Sequence, residues 1–232
     1  VILKMSIIPK NYKGFEIYSK MSQDFESQAI ILICVMDRIK YKIIRNIKEH
    51  EEGYIPIGGI KFIQGILGRV IKPDYYPTYL KGYLRRSIWE TDKWPIGRRV
   101  FIKPSDEHKR FNGIITNGGW KGKKRGPYIC SDIIKIKNEW RYYILNGEII
   151  YSRWYKGEEE DKVSPNLGIE FDKDLISCLD MGEDYEGNLI LIESQSPFSC
   201  GWYGSNNYEC ASKYVKWISY GWEQIERKYK NV

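Results

Sequence analysis

The densest chemistry in this sequence lies in its C-terminal third, where Asp180 and Glu193 flank a turn signal at Glu186-Gly187. With Glu186 and Gly187 as the two central turn residues, Tyr185 pairs with Asn188. Counting outward then sets Asp180 opposite Glu193. Directly opposed strand residues hold their Cβ atoms about 5 Å apart on one face. Gln195, two residues beyond Glu193, shares that face. Facing carboxylates repel unless a cation lies between them. Hard divalent ions such as Mg²⁺ take oxygen ligands, often one or two carboxylates plus substrate phosphates. The competing reading is the polar outer face of an ordinary hairpin, and spacing alone leaves both open.

Two cationic groupings accompany this pair. Lys103 ends an apolar stretch before Pro104, and Lys109 follows it beside a basic, glycine-rich segment, Phe111–Gly126. Glycine-rich backbone can approach phosphates closely, and Lys adds a point charge. An idle surface loop or a nucleic-acid contact would read the same way. Arg141 follows Glu139-Trp140 and precedes the turn signal Asn146-Gly147. A regular hairpin about that turn sets Arg141 opposite Ser152 and Arg153 opposite Trp140, so the two arginines face opposite ways unless a bulge intervenes. A structural ion pair is the alternative role for Arg141.

These groups need elements to position them. Ala29–Val35 is a continuous apolar run and predicts a buried strand. Lys40–Ile47 predicts a second strand, and Ile60–Leu67 a helix opening after Gly58-Gly59. Thr78–Trp89 has Leu80, Tyr83, Leu84 and Ile88 near helical spacing, weakened by Gly82. Val100–Lys103 and Tyr128–Ile136 predict strands. Trp140–Leu145 with Glu148–Trp154, and Leu175–Met181 with Leu189–Glu193, predict hairpins. Ala211–Lys228 predicts a closing helix. Phe111–Gly126 reads as a mobile basic loop and Glu158–Lys162 as a solvated one.

Composition excludes several classes. The 232 residues are 42% hydrophobic and 29% charged, an ordinary globular balance. There are two histidines, so Ser-His, Cys-His and multi-His metal centres are poor readings. Five cysteines without a CxxC suggest reduced thiols in a cytoplasmic setting, bacterial or host-cell, rather than a disulfide framework. The longest apolar run, Ala29–Met36, is too short to span a bilayer, which needs about 20 residues. No signal-peptide pattern is present, and Met5 is a candidate start. The net charge of +7 favours polyanionic partners without saying which.

Order and spacing become informative together. Val100-Phe101-Ile102-Lys103-Pro104, then Asp106, Lys109, Phe111 and Gly113, resembles the phosphate-binding lysine strand and following loop of ATP-grasp enzymes. Ser131-Asp132-Ile133-Ile134 with Glu139-Trp140-Arg141 resembles their hinge and arginine strand. Asp180, then Glu193-Ser194-Gln195-Ser196-Pro197 with Gly201 and Tyr203, resembles their metal-binding end. The match is to the clade named for two arginines and one lysine, common in phages and bacteria. That clade has an upstream pattern similar to Ile55–Phe62, Tyr76-Pro77, Leu80, Leu84 and Arg86. The resemblance covers about residues 54–205.

It implies an α+β ATP-grasp fold. A small N-terminal αβ lobe (residues 1–90) would precede the nucleotide-binding and catalytic region (91–232), in which two α+β subdomains clasp ATP. It implies that Lys103 and Lys109 bind phosphates and that Ser131, Asp132 and Ile133 hold the adenine edge. Arg141 would stabilise the transferred phosphoryl, with Arg86 near phosphate or a substrate carboxylate. Asp180, Glu193 and Gln195 would bind one or two Mg²⁺ ions. Gln195 departs from the family's usual Asn at that position. The implied activity is an ATP- and Mg²⁺-dependent ligase joining a carboxylate to an amine acceptor, possible acceptors including peptides and proteins, through an acylphosphate. The alternatives are a non-catalytic nucleotide-binding regulator and a basic nucleic-acid binder. The latter is the weakest, and no membrane partner is expected.

Overall fold

A computed structural model describes residues 6–69, 74–105, 111–119 and 126–230. The chain opens with β1 (Gly14–Tyr18), α1 (Phe25–Met36), β2 (Lys40–Ile44), β3 (Tyr54–Ile57) and α2 (Ile60–Leu67). β1 pairs in parallel with both β2 and β3, giving a three-stranded sheet of order β2-β1-β3. Parallel neighbours need a crossover, and a helix supplies it. That is why the apolar run 29–35, expected as a buried strand, is helical instead. α1 buries Ala29, Ile30, Ile33 and Cys34, one stripe at helical spacing, while Val35 and Met36 stay exposed.

A short 3₁₀ helix (Thr78–Tyr83) follows, and then β4 (Ile88–Thr91). The helical spacing expected over 78–89 is therefore realised only as far as Tyr83. Arg85 adopts φ 45°, a left-handed turn no continuing helix allows. β4 joins β5 (Val100–Pro104), β6 (Ile114–Thr116) and β7 (Tyr128–Ser131) in an antiparallel sheet of order β4-β7-β5-β6. The segment expected as a basic loop contributes β6, paired with Val100–Ile102. The strand expected to reach Ile136 stops at Ser131.

The third sheet, order β11-β10-β8-β9, is built from β8 (Asn138–Leu145), β9 (Glu148–Gly157), β10 (Ser177–Glu183) and β11 (Leu189–Gln195). Asn146 (φ 53°) and Gly147 (φ 75°) form the tight turn between β8 and β9. α3 (Tyr208–Lys230) closes the chain. No helix among the described residues is long and apolar enough to cross a membrane.

Alternation along β8 assigns the two faces of this sheet. Trp140, Tyr142 and Ile144 face a core with Leu179, Met181, Leu191 and Leu80. Tyr143 and Leu145 face a larger core holding Phe15, Ile17, Ile30, Trp217 and Trp222. The N-terminal sheet, α1, α3 and one face of the third sheet thus share one continuous apolar interior. The Trp217 indole N–H donates to the carbonyls of Ile144 (3.0 Å) and Ser177 (3.2 Å), fixing α3 across that sheet.

Candidate functional site

The register of β10 and β11 sets Asp180 directly against Glu193 and Cys178 against Gln195. The path differs from a two-residue turn. Near the turn Glu183 pairs with Leu189, Gly182 with Ile190 and Met181 with Leu191, and Asp184 N donates to Asn188 O. The loop therefore has three residues, Tyr185–Gly187, with Gly187 at φ 82°. A β-bulge at Ile192 then shifts the ladder by one and brings Glu193 opposite Asp180. Without the bulge, Ile192 would face Asp180 and Glu193 would point to the opposite face.

On the neighbouring strand Arg141 pairs with Asp180. Its Nε and Nη2 donate to Asp180 Oδ1 (2.7 Å) and Oδ2 (2.8 Å), a bidentate fork, and Nη1 donates to Gly201 O (3.0 Å). Both side chains are buried. Burial opposes charge on Arg141, but the hydrogen bonds and charge of Asp180 outweigh it, holding the guanidinium ionised. Burial also pushes the Asp180 carboxyl up, against the pull of that fork. The Arg141 guanidinium lies 4.4 Å from the Tyr203 ring, and Tyr203 stacks on Tyr155 at 4.9 Å. Tyr155 in turn donates to Glu139 Oε2 at 2.7 Å. The two arginines of this hairpin do not face opposite ways: bulges on β8–β9 set Arg141 against Arg153, whose side chain is half-exposed and reaches Asp161.

Lys103 comes from the other sheet. Its ammonium meets Glu193 Oε2 at 2.7 Å and lies 3.7 Å from the centre of the Tyr75 ring. Between the two sheets is a cleft of about 500 Å³, within the range of small-molecule sites. Lys103, Glu193, Arg86, Ser131, Asp132 and Ile133 line it, with Phe101, Ile115 and Ile192 as apolar walls. Asp132 accepts from Ser87 N and binds Arg98, which fixes the strand end. Arg86 donates to backbone carbonyls, Leu84 O at 3.0 Å, Leu191 O at 2.7 Å and Ile192 O at 3.1 Å. Lys109 lies outside the described residues.

Gln195 is buried beside the two carboxylates. Its Nε2 donates to Glu193 Oε1 and lies 3.5 Å from Asp180 Oδ2, leaving Oε1 buried with no partner among the described residues. Turning the amide over would aim that oxygen at the carboxylates, an arrangement only a cation makes favourable. Two carboxylates and an amide oxygen fit Mg²⁺, which keeps several waters and takes phosphate oxygens. Among the described residues no group of three or more His, Cys, Asp or Glu side chains is placed to hold an ion.

Sequence reasoning misses Tyr75, Tyr155 and the role of Glu139, whose placement depends on long-range packing. Gly201 contributes through its backbone: its carbonyl accepts from both Arg141 and the Tyr143 hydroxyl.

No curated protein matches the chain. Among solved structures, D-alanine–D-alanine ligase from Bacillus anthracis complexed with ATP superposes with TM-score 0.51 at 10% identity, covering 94% of this chain and 99% of that one. N5-carboxyaminoimidazole synthetase from Staphylococcus aureus gives 0.54 at 8% identity, covering 93% and 80%. The Chryseobacterium gregarium RiPP-associated ATP-grasp ligase, in complex with ADP and a leader and core peptide, gives 0.50 at 10% identity, covering 88% and 95%. At such identities the likeness is one of fold. The family model for the ATP-grasp domain of the two-arginine, one-lysine clade, family 2, matches residues 83–212. That is more than half of the sequence and all of the cleft's β-sheet framework from β4 to β11, and the chain belongs to that family.

Proposed function

We propose that the protein is an ATP-dependent ligase joining a carboxylate to an amine. The observation that carries this reading is the meeting of Lys103, from one sheet, with Glu193, from the other, across the cleft, with the buried Arg141–Asp180 pair on the strands next to Glu193. Anionic and cationic groups thus converge where a polyphosphate would lie. Lys103 and Lys109 bind its phosphates. The segment Ser131–Ile133 borders the base, and the isoleucines and Phe101 cover its faces.

Asp180, Glu193 and Gln195 would hold Mg²⁺, which supplies charge neutralisation on the phosphate oxygens. A substrate carboxylate oxygen attacks the γ-phosphorus, the bond to the β-bridging oxygen breaks, and ADP leaves. The amine nitrogen then attacks the acyl carbon, phosphate departs and the nitrogen loses a proton. Lys103 and Arg141 stabilise the charge that builds during transfer. Catalysis of this kind rests on positioning and electrostatics, which suits a chain with two histidines. Arg86 lines the same cleft, with its guanidinium on the backbone carbonyls of β11. Residues 1–90 act as the N-terminal lobe and 91–232 as the catalytic region, in a cytoplasmic setting.

The B. anthracis neighbour is complexed with ATP and the C. gregarium neighbour with ADP and peptide, which supports ATP as one substrate and makes peptides reasonable acceptors to test. Incubation with ATP, Mg²⁺ and a library of amino acids and peptides, followed by ADP release, tests the proposal. ADP formation that depends on a particular acceptor supports it. Nucleotide binding with no substrate-dependent turnover favours a regulatory nucleotide-binding protein, a reading motivated by the Gln195 amide N–H contact with Glu193.

A further inference from the structure

Arg86 makes an unusual set of bonds for a cleft arginine. Its Nη1 donates to Leu191 O at 2.7 Å and its Nη2 to Ile192 O at 3.1 Å. In a regular strand, successive carbonyls point to opposite sides. One guanidinium reaches both here because β11 bulges at Ile192. The same bulge sends two consecutive side chains, Ile192 and Glu193, into the cleft. Among the described residues β11 is the edge strand of its sheet, with no strand beyond these carbonyls.

The neighbouring bonds act in the same sense. Arg85, in a left-handed conformation, donates to Leu189 O at 3.2 Å on the same edge. On the other side of Glu193, Ser194 N donates to Tyr75 O at 2.8 Å. Glu193 is therefore held between two tertiary clamps on the residues that flank it. Both Nη atoms of Arg86 are engaged by the Leu191 and Ile192 carbonyls, and its guanidinium lies 5.8 Å from the centre of the Tyr76 ring.

We infer that Arg86 is a positioning residue. It recognises the Ile192 bulge through its two same-side carbonyls and thereby fixes Glu193 opposite Asp180, where the divalent ion of the proposed reaction would bind. This rests on the reading of Asp180 and Glu193 as metal ligands, but its structural half does not. A lysine cannot replace the fork, because a single ammonium cannot reproduce two parallel donors at fixed spacing.

The test uses the full chain with Arg86→Ala and Arg86→Lys, each checked for folding by circular dichroism. Amide hydrogen exchange on the nucleotide-free protein should speed up about tenfold or more across 190–195 in both variants, the loss expected of charged hydrogen bonds, while β8 changes little. ATP binding is then measured in EDTA and with Mn²⁺. Both variants should lose more affinity with Mn²⁺ than in EDTA, and added methylguanidinium should restore part of the Mn²⁺-dependent gain to Arg86→Ala, with methylammonium ineffective. Unaltered exchange at 190–195 would overturn the inference whatever the nucleotide data. An equal loss in EDTA and Mn²⁺ would also overturn it, by showing that Arg86 contacts the nucleotide directly. A wild-type protein without Mn²⁺-dependent ATP binding would instead sink the metal assignment, leaving the exchange result to decide the clamp.

Discussion

Lys103 and Glu193 bridge the cleft at 2.7 Å, so the residue proposed to bind phosphate and the residue proposed to bind metal neutralise one another in the nucleotide-free protein. Nucleotide and ion together must separate them. Lys103→Ala should weaken Mg-ATP binding by about tenfold or more, the scale of a charge-assisted contact. The same change should strengthen binding of Mn²⁺ alone, since it releases Glu193. Titration calorimetry for ATP and electron paramagnetic resonance for Mn²⁺ measure the two effects, and their opposite signs separate this from general unfolding.

Arg141 and Asp180 form a buried bidentate pair. Removing one partner strands the other charge, at about 3–5 kcal/mol. Arg141→Met and Asp180→Leu should each lower the urea midpoint steeply, and the double variant should recover much of the loss. Additive losses in that cycle would mean the pair contributes little as a unit.

Gln195 donates to Glu193 and lies against Asp180. Gln195→Glu would set three carboxylates together. The variant should melt lower than wild type in EDTA and recover in Mg²⁺, with the difference between the two conditions larger than in wild type. A thermal melt insensitive to Mg²⁺ would show that these oxygens do not converge on an ion.

Acid should loosen the far end of the same sheet. The Lys137 and Lys162 ammonium groups hold the Glu159 carboxyl down to about 2, and Lys162 holds Glu183 below its ordinary value. Groups whose pKa falls on folding stabilise above their unfolded value of about 4.3, and that contribution is lost as pH drops through the folded values. Stability should therefore fall between about pH 4 and pH 2. Glu159→Gln should flatten part of the slope, more at low salt because the pair is exposed. Urea midpoints across that range measure it.

Much of the site is legible in the sequence because hairpin chemistry is local. Asn146-Gly147 declares its turn, and the pairing of Asp180 with Glu193 follows from counting. That count succeeds through two departures that cancel, a third loop residue and the bulge at Ile192. Neither has a sequence signal. The same kind of irregularity on β8 and β9 upsets the facing of Arg141 and Arg153. The run 29–35 misleads because an apolar stretch of that length suits a buried strand or a helix equally. Only the parallel pairing of β1 with β2, a long-range fact, decides for the helix. Tyr75 reaches Lys103 for a reason no window could reveal: the two are distant in sequence and meet through tertiary packing.

The shared interior of the N-terminal sheet, α1, α3 and the carboxylate-bearing sheet has a mechanical consequence. Parting those elements would wet Phe15, Ile30, Tyr143 and Trp217 together. The lysine-bearing sheet keeps a small separate core of Ile102, Tyr128 and Cys130. An opening of the cleft that moves this sheet leaves the large interior dry. The molecule is thus divided into a heavy anvil that carries Asp180 and Glu193 and a light jaw that carries Lys103.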